Sequence, residues 1–200
     1  MKVLVVSDGK HELGPDSGQG ALVELTRRML NREVEFERKK ANDRVVKTHA
    51  LRGKFTDYGK RALRWIIYAQ GEEFDALVFV IDQDGHKKRE TGVENAQIHT
   101  HFVIPRAMTV AVQKFDAWML ADEVAMSKVL GGNVQRQKDP ESNQDPKSEC
   151  EKIIAASQRN LSLTEFYFQV AKVINLDSLR KRCPRGFDKF RTRVEKLFTD

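Results

Sequence analysis

The chain has 200 residues and a mass of 23.0 kDa, with 40% hydrophobic and 32% charged residues, enough to bury a substantial core. Its longest apolar runs, Val3 to Val6 and Ala76 to Ile81, fall far short of the ~20 residues a membrane helix needs, and Met1-Lys2 leads directly into a strand-like run, so a cytoplasmic protein without membrane contact is expected. Cys150 and Cys183 form no CxxC and no zinc-ligand spacing, which predicts reduced, structural thiols; 35 Lys+Arg against 29 Asp+Glu, net +6 with a pI near 9.3, leaves a polyanionic partner open.

Lys2 to Ser7 is a nearly continuous apolar run ending at Asp8-Gly9, the pattern of a strand covered on both faces in a parallel sheet. Leu22, Leu25, Met29 and Leu30 recur at helical spacing, and Glu33 to Glu37 alternates with period two, predicting a helix and then a half-exposed strand near a sheet edge, followed by a basic loop. Asp57 can cap a helix striped with Leu63, Trp65, Ile66 and Ile67, after which Ala76 to Ile81 is a second buried strand. A helix from about Glu90 to His101, a strand from Met108 to Val112 and a helix from Ala117 to Leu130, stopped by Gly131-Gly132, follow. Strands alternating with helices predict an α/β fold with a mostly parallel sheet flanked by helices.

Asn133 to Ser148 is polar, contains Pro140 and Pro146, and reads as a linker or loop. Beyond it lie a capping box, Ser162 to Glu165, and an amphipathic helix carrying Phe187, Phe190, Val194, Leu197 and Phe198. The predicted organisation is an α/β domain over 1–132, a polar linker over 133–149 and a helical C-terminal extension over 150–200.

In an open parallel sheet, ligands bind beyond the carboxyl ends of the strands. The residues there are acids: Asp8 after the first strand with Glu12 close behind, Asp82 and Asp84 after Ile81, and Asp116 after the last strand. In extended backbone, residues two apart point the same way, so Asp82 and Asp84 can aim at one spot. Gathered carboxylates repel one another unless a cation sits between them, and oxygen donors suit Mg²⁺ or Mn²⁺. Asp-Gly is also an ordinary turn dipeptide, so either motif alone has a structural reading.

Ser7-Asp8-Gly9-Lys10-His11-Glu12, Ile81-Asp82-Gln83-Asp84-Gly85, Phe115-Asp116 to Ala121-Asp122, Asp145-Pro146-Lys147 and Cys183-Pro184, taken in that order, resemble a family of small bacterial toprim-like (topoisomerase–primase) proteins catalogued as a domain of unknown function. The resemblance implies a toprim-like sheet in which an acid-glycine pair and a DxD pair, here Asp8-Gly9 and Asp82-Gln83-Asp84, bind divalent metal for phosphodiester chemistry. It extends to the nuclease halves of overcoming-lysogenisation-defect proteins, which implies an ATPase partner and a role in phage defence. Asp8 stands where that family usually carries glutamate, one methylene longer.

The leading expectation is a metal-dependent nuclease, with metal held by Asp8, Glu12, Asp82, Asp84 and Asp116, and with Lys10 placed to stabilise developing charge. Lys39, Lys40, Lys87, Lys88 and Lys147, with the wider basic segment Arg38 to Lys54 and the basic C-terminal helix, are candidates for holding a DNA or RNA backbone. His11 and His86 lie near the acidic motifs and are weaker candidates for a general base, whereas His99 and His101, in a predicted helix, should splay by about 200°. Trp118 is expected in the core. There is no GxxxxGK[ST] and no GxGxxG, so any ATP must come through a partner. The rival readings are a catalytically degenerate toprim domain serving as a binding or regulatory subunit, which Asp8 favours, and a small-molecule phosphohydrolase. A homo-oligomer is compatible with all three.

Overall fold

The two long apolar runs become the two central strands because each must be covered on both faces. The computed structural model describes residues 1–15, 19–43 and 57–199. In it β1 (Lys2–Ser7), β2 (Glu35–Lys40), β3 (Ala76–Asp82) and β4 (Arg106–Ala111) form one sheet in the order β2-β1-β3-β4, parallel throughout. Val3, Val5, Val78 and Val80 face one layer and Leu4, Val6, Leu77, Phe79 and Ile81 the other, the period-two alternation of a strand. The half-exposed strand is at the edge, as its alternation predicts, but it runs on to Lys40, so Arg38, Lys39 and Lys40 belong to β2 and not to a loop.

On the Leu4 face lie α3 (Asp57–Gly71) and α4 (Lys87–Gln97), with Leu63, Trp65 and Ile66 buried against the strands. The opposite face is built from short α1 (Lys10–Leu13), α2 (Ala21–Leu30), α5 (Asp116–Met119), α6 (Glu123–Leu130), α7 (Pro146–Ala156), α8 (Leu163–Val173), α9 (Leu176–Arg182) and α10 (Phe187–Glu195). Ala107 and Ala111 present small side chains on β4, and α10 packs there with Phe187, Phe190 and Val194 fully buried. Trp118 is in this core, its ring 5.4 Å from that of Phe190 and stacked on it.

Three expectations shift. The single helix from Ala117 to Leu130 is two helices, because Asp122 breaks it: its backbone is extended and its carboxylate caps α6, accepting from the Val124 and Ala125 amides at 3.0 Å. The helix expected to reach His101 ends at Gln97, since the Arg106 guanidinium collects the carbonyls of Gln97, His99 and Phe102 and turns the chain into β4. His99 and His101 therefore lie outside a helix, with ring centroids 5.2 Å apart. Segment 133–149 contains a 3₁₀ turn at Pro140–Ser142 and the start of α7, capped by Asp145. Its Glu141 is fully buried and accepts hydrogen bonds from the Arg185 and Gly186 amides at 3.0 and 2.7 Å.

Among the described residues no helix is long and apolar enough to cross a membrane. Topology locates the crevice. From β1 the chain steps one way to β2, then returns past β1 to β3 and β4, so the order reverses between β1 and β3. A doubly wound sheet opens a ligand crevice beyond the carboxyl ends of its strands at such a reversal.

Candidate active site

Four acids meet at that crevice. Asp8 leaves the end of β1, Asp82 is the last residue of β3, Asp116 opens α5 beyond β4, and Glu12 reaches in from α1. Glu12 and Asp116 are each only 5% exposed. Gly9 makes the fold-back of Glu12 possible, since a Cβ there would lie 1.9 Å from Glu12 Oε2. Asp82 is fixed by the Phe115 amide, which donates to its Oδ1 at 2.8 Å, and Asp116 by the Tyr167 hydroxyl, which donates to its Oδ1.

Their ionisation is coupled. Burial, then the field of Asp82, with smaller contributions from Asp116 and Asp8, pushes the Glu12 carboxyl up to about 8. Burial raises Asp82 to about 7, with Asp116, Asp84 and Asp8 adding to it. Asp8 is raised by burial and partly restored by Arg61 and Arg89. Asp8 Oδ1 and Glu12 Oε2 are buried without a hydrogen-bond partner. Unpartnered carboxylate oxygens in an all-oxygen donor set suit a hard cation such as Mg²⁺ or Mn²⁺. Among the described residues, however, no three His, Cys, Asp or Glu side chains already stand where they could hold a metal ion, so the fit lies in donor chemistry and not in a preformed coordination shell.

Asp84 departs from the extended backbone that the DxD spacing assumes. It follows the end of β3 in a left-handed conformation, φ 48°, which breaks the alternation that would align it with Asp82. Its Oδ2 accepts from the Arg89 guanidinium at 2.8 Å. The same Arg89 nitrogen donates to the Asp82 carbonyl at 2.7 Å and lies 3.9 Å from Asp8 Oδ2, while Arg61 lies 3.9 Å from Asp8 Oδ1. Both guanidinium groups lie over the Tyr58 ring, at 4.9 Å for Arg89 and 5.7 Å for Arg61. No short motif flags these arginines; the packing of α3 and α4 against each other on the same face of the sheet brings them together.

The sequence-predicted cations divide. Lys10 is exposed on α1 and lines an open groove with Gln19, Ser162, Thr164 and Phe168. Lys40 pairs in register with Ser7, and Lys39 with Val6, so both stand at the cleft end of the sheet, although Lys39 also pairs with Glu37 at 3.2 Å. Lys87 and Lys88 are exposed on the first turn of α4, and Lys147 lies on the first turn of α7. Arg44, Lys47, Arg52 and Lys54 lie outside the described residues. The C-terminal basic cluster is largely committed elsewhere: Arg180 pairs with Asp188, Arg182 with Glu123, Arg185 with Glu141, Lys189 with Glu90, Arg191 with Asp177 and Arg193 with Glu94. These cations tie α9, α10 and the turn between them to neighbouring segments.

His11 shares a 2.7 Å hydrogen bond between its Nδ1 and Thr164 Oγ1, and burial together with Lys147 and Lys10 lowers its pKa, favouring the neutral ring. His86 precedes the first turn of α4 and is exposed. Sequence reasoning missed Tyr167 as well as the two arginines; its helical position marks it only as core.

A family model described as "Domain of unknown function (DUF4276)" matches residues 16–195. No curated protein and no solved structure gives a match.

Proposed function

The chain belongs to the DUF4276 family, and we propose that it is a metal-dependent phosphodiesterase, a nuclease of toprim type acting on DNA or RNA from the crevice between β1 and β3. The observation that carries this reading is the convergence of Asp8, Glu12, Asp82 and Asp116 at the topological reversal, with buried carboxylate oxygens left unpartnered and two carboxyl groups raised toward neutrality. The ordered motifs shared with toprim-like proteins support it independently, and so does the basic surface of Lys10, Lys39 and Lys40 at the same end of the sheet.

Asp8, Glu12 and Asp82 are the proposed ligands for Mg²⁺ or Mn²⁺, with Asp116, held by Tyr167, as a further carboxylate. Such an ion, when bound, polarises the scissile phosphate and lowers the pKa of an attacking water. The chain's own part is positioning: the Phe115 amide fixes Asp82, Gly9 leaves space for Glu12, and the apolar floor of the sheet keeps the carboxyl groups dry. Lys10, exposed on α1, is proposed to meet a phosphate oxygen. Partnership with an ATPase enters this proposal through the resemblance alone.

A second reading, a toprim-type binding or regulatory subunit without catalysis, is favoured by two observations: no three donors are set for a metal among the described residues, and Asp8 is one methylene shorter than the glutamate usual in toprim-like proteins. Incubating the protein with plasmid, linear and single-stranded DNA and with RNA, in Mg²⁺, Mn²⁺ or EDTA, separates the two. Metal-dependent cleavage that disappears in Asp82→Asn supports the enzyme. Equal cleavage by parent and variant removes the catalytic assignment, and none from either favours the binding subunit.

A further inference from the structure

Arg61 and Arg89 bring two positive charges to one place beside the acids. Each is a long charged side chain drawn from a different helix to the rim of the same cleft, and both lie over one tyrosine, Tyr58. Arg89 is mostly covered, with 15% of its side chain exposed, yet its Nε is buried without a partner. Arg61 approaches Asp8 only at 3.9 Å, a long ion pair that leaves its fork of donors available. Asp84, meanwhile, has a left-handed backbone and its carboxylate accepts from Arg89.

Resting on the phosphodiesterase reading above, we propose that Arg61 and Arg89 are the phosphate-binding residues of the cleft, and that Asp84 is a positioning residue for Arg89 and not a metal ligand. Guanidinium groups bind phosphate through planar, two-pronged hydrogen bonds that a lysine cannot reproduce, and stacking on an aromatic ring restrains the plane in advance. The carboxylate of Asp84 and the carbonyl of Asp82 hold one nitrogen of Arg89 at 2.8 and 2.7 Å, which orients the rest of the fork. The cleft is thereby divided: carboxylates of Asp8, Glu12 and Asp82 toward the sheet for a cation, guanidinium groups of Arg61 and Arg89 over Tyr58 for the anion. A substrate phosphate bridging the two halves would replace the contacts that both arginines make with Asp8. The ligand class that follows is a phosphodiester held by its backbone, without base readout.

Two measurements test this on the full chain. Anisotropy of a fluorescein-labelled oligothymidylate is titrated in Ca²⁺ and in EDTA for the parent, Arg61→Ala, Arg89→Ala, Arg89→Lys, and Arg159→Ala as a control for lost surface charge. Affinity should fall about tenfold or more in each Arg61 and Arg89 variant, Arg89→Lys included, and stay near the parent's in Arg159→Ala. A parent that does not bind, variants that bind like the parent, or an equal loss in the control overturns the phosphate assignment. Mn²⁺ titration, followed by calorimetry, then compares Asp84→Asn with Asp82→Asn. Retained Mn²⁺ binding in Asp84→Asn, lost in Asp82→Asn, supports the division; equal loss in both makes Asp84 a ligand and overturns it. If the parent binds no Mn²⁺, the metal reading fails, while a loss of oligonucleotide affinity confined to the arginine variants would still stand for the phosphate site. Arg89→Lys, which keeps the charge under Asp84, guards against misfolding of Arg89→Ala.

Discussion

The hydroxyl of Tyr167, on α8, donates to the carboxylate of Asp116, on α5, 51 residues earlier in the chain. Both groups are buried, and Cys150 of α7 also approaches the Asp116 carbonyl, at 3.9 Å. The C-terminal helices therefore do more than cover the sheet: one of them orients an acid of the cleft, and through Thr164 it also holds His11, the neighbour of Glu12.

Removing that hydroxyl should show in two ways. Tyr167→Phe keeps the ring, and so the packing against Phe166 and Phe115, but leaves the Asp116 carboxylate without a buried donor. Chemical denaturation should register a loss of about 1–3 kcal/mol. If Asp116 contributes to a cation site, Mn²⁺ affinity should also fall, by about 10-fold or more, as is usual when a ligand's supporting partner is removed. A loss of stability with unchanged Mn²⁺ affinity would assign the Tyr167 hydroxyl to structural support of Asp116 alone.

Glu12 makes the stability of the protein depend on pH. Its carboxyl titrates near 8 in the folded chain, above its ordinary value of 4.5, so the folded state binds more protons between those limits than the unfolded state. Stability should therefore be highest below pH 4.5 as far as this group is concerned, and should be lost as pH rises through 8. Asp82, near 7 against 3.8, acts in the same direction. Urea midpoints measured from pH 5 to pH 9 in EDTA should decline, and Glu12→Gln should flatten the decline by on the order of 1–3 kcal/mol at pH 9. An unchanged slope in the variant would mean that Glu12 is not the buried acid responsible.

Gly9→Ala separates geometry from folding. The Gly9 backbone, φ −103° and ψ 149°, is open to any residue, so alanine costs no backbone strain. The new methyl would meet only the end of a flexible side chain, the Glu12 carboxylate, and push it from its place. Thermal unfolding should change little, by roughly 1 kcal/mol or less, while Mn²⁺ binding weakens. Loss of folding instead would show that the Glu12 fold-back holds up α1.

How much of this was legible in the sequence depends on the range of the interaction. The strands Lys2–Ser7 and Ala76–Asp82 declare themselves because burial on both faces demands an unbroken apolar run, and Glu33 to Glu37 declares an edge because one face is wet. Asp8, Glu12, Asp82 and Asp116 could be found from their place after strands, since a parallel sheet gathers its carboxyl ends. The geometry of Asp84 was not legible because the DxD rule assumes extended backbone, and the chain leaves that conformation at Asp84 itself. The pairing of the C-terminal basic residues was hidden for another reason. Arg193 and Glu94 are 99 residues apart, and Arg182 and Glu123 are 59 apart, so no local pattern shows that their charges are already matched. Arg61 and Arg89 were missed for the same cause in reverse: only the packing of two separate helices over one sheet reveals that they share Tyr58.

The central claim is a divalent cation bound by the carboxylates between β1 and β3, and thermal unfolding tests it most directly. The parent and Asp82→Asn are melted at pH 8 in EDTA, in Mg²⁺ and in Mn²⁺, because a ligand bound only by the folded state raises its apparent stability. The parent's midpoint should rise with either metal, a stabilisation of about 2.7 kcal/mol at 100 times the dissociation constant, and the midpoint of Asp82→Asn should not. Parent and variant that respond alike, or no shift in the parent at millimolar metal, would contradict it.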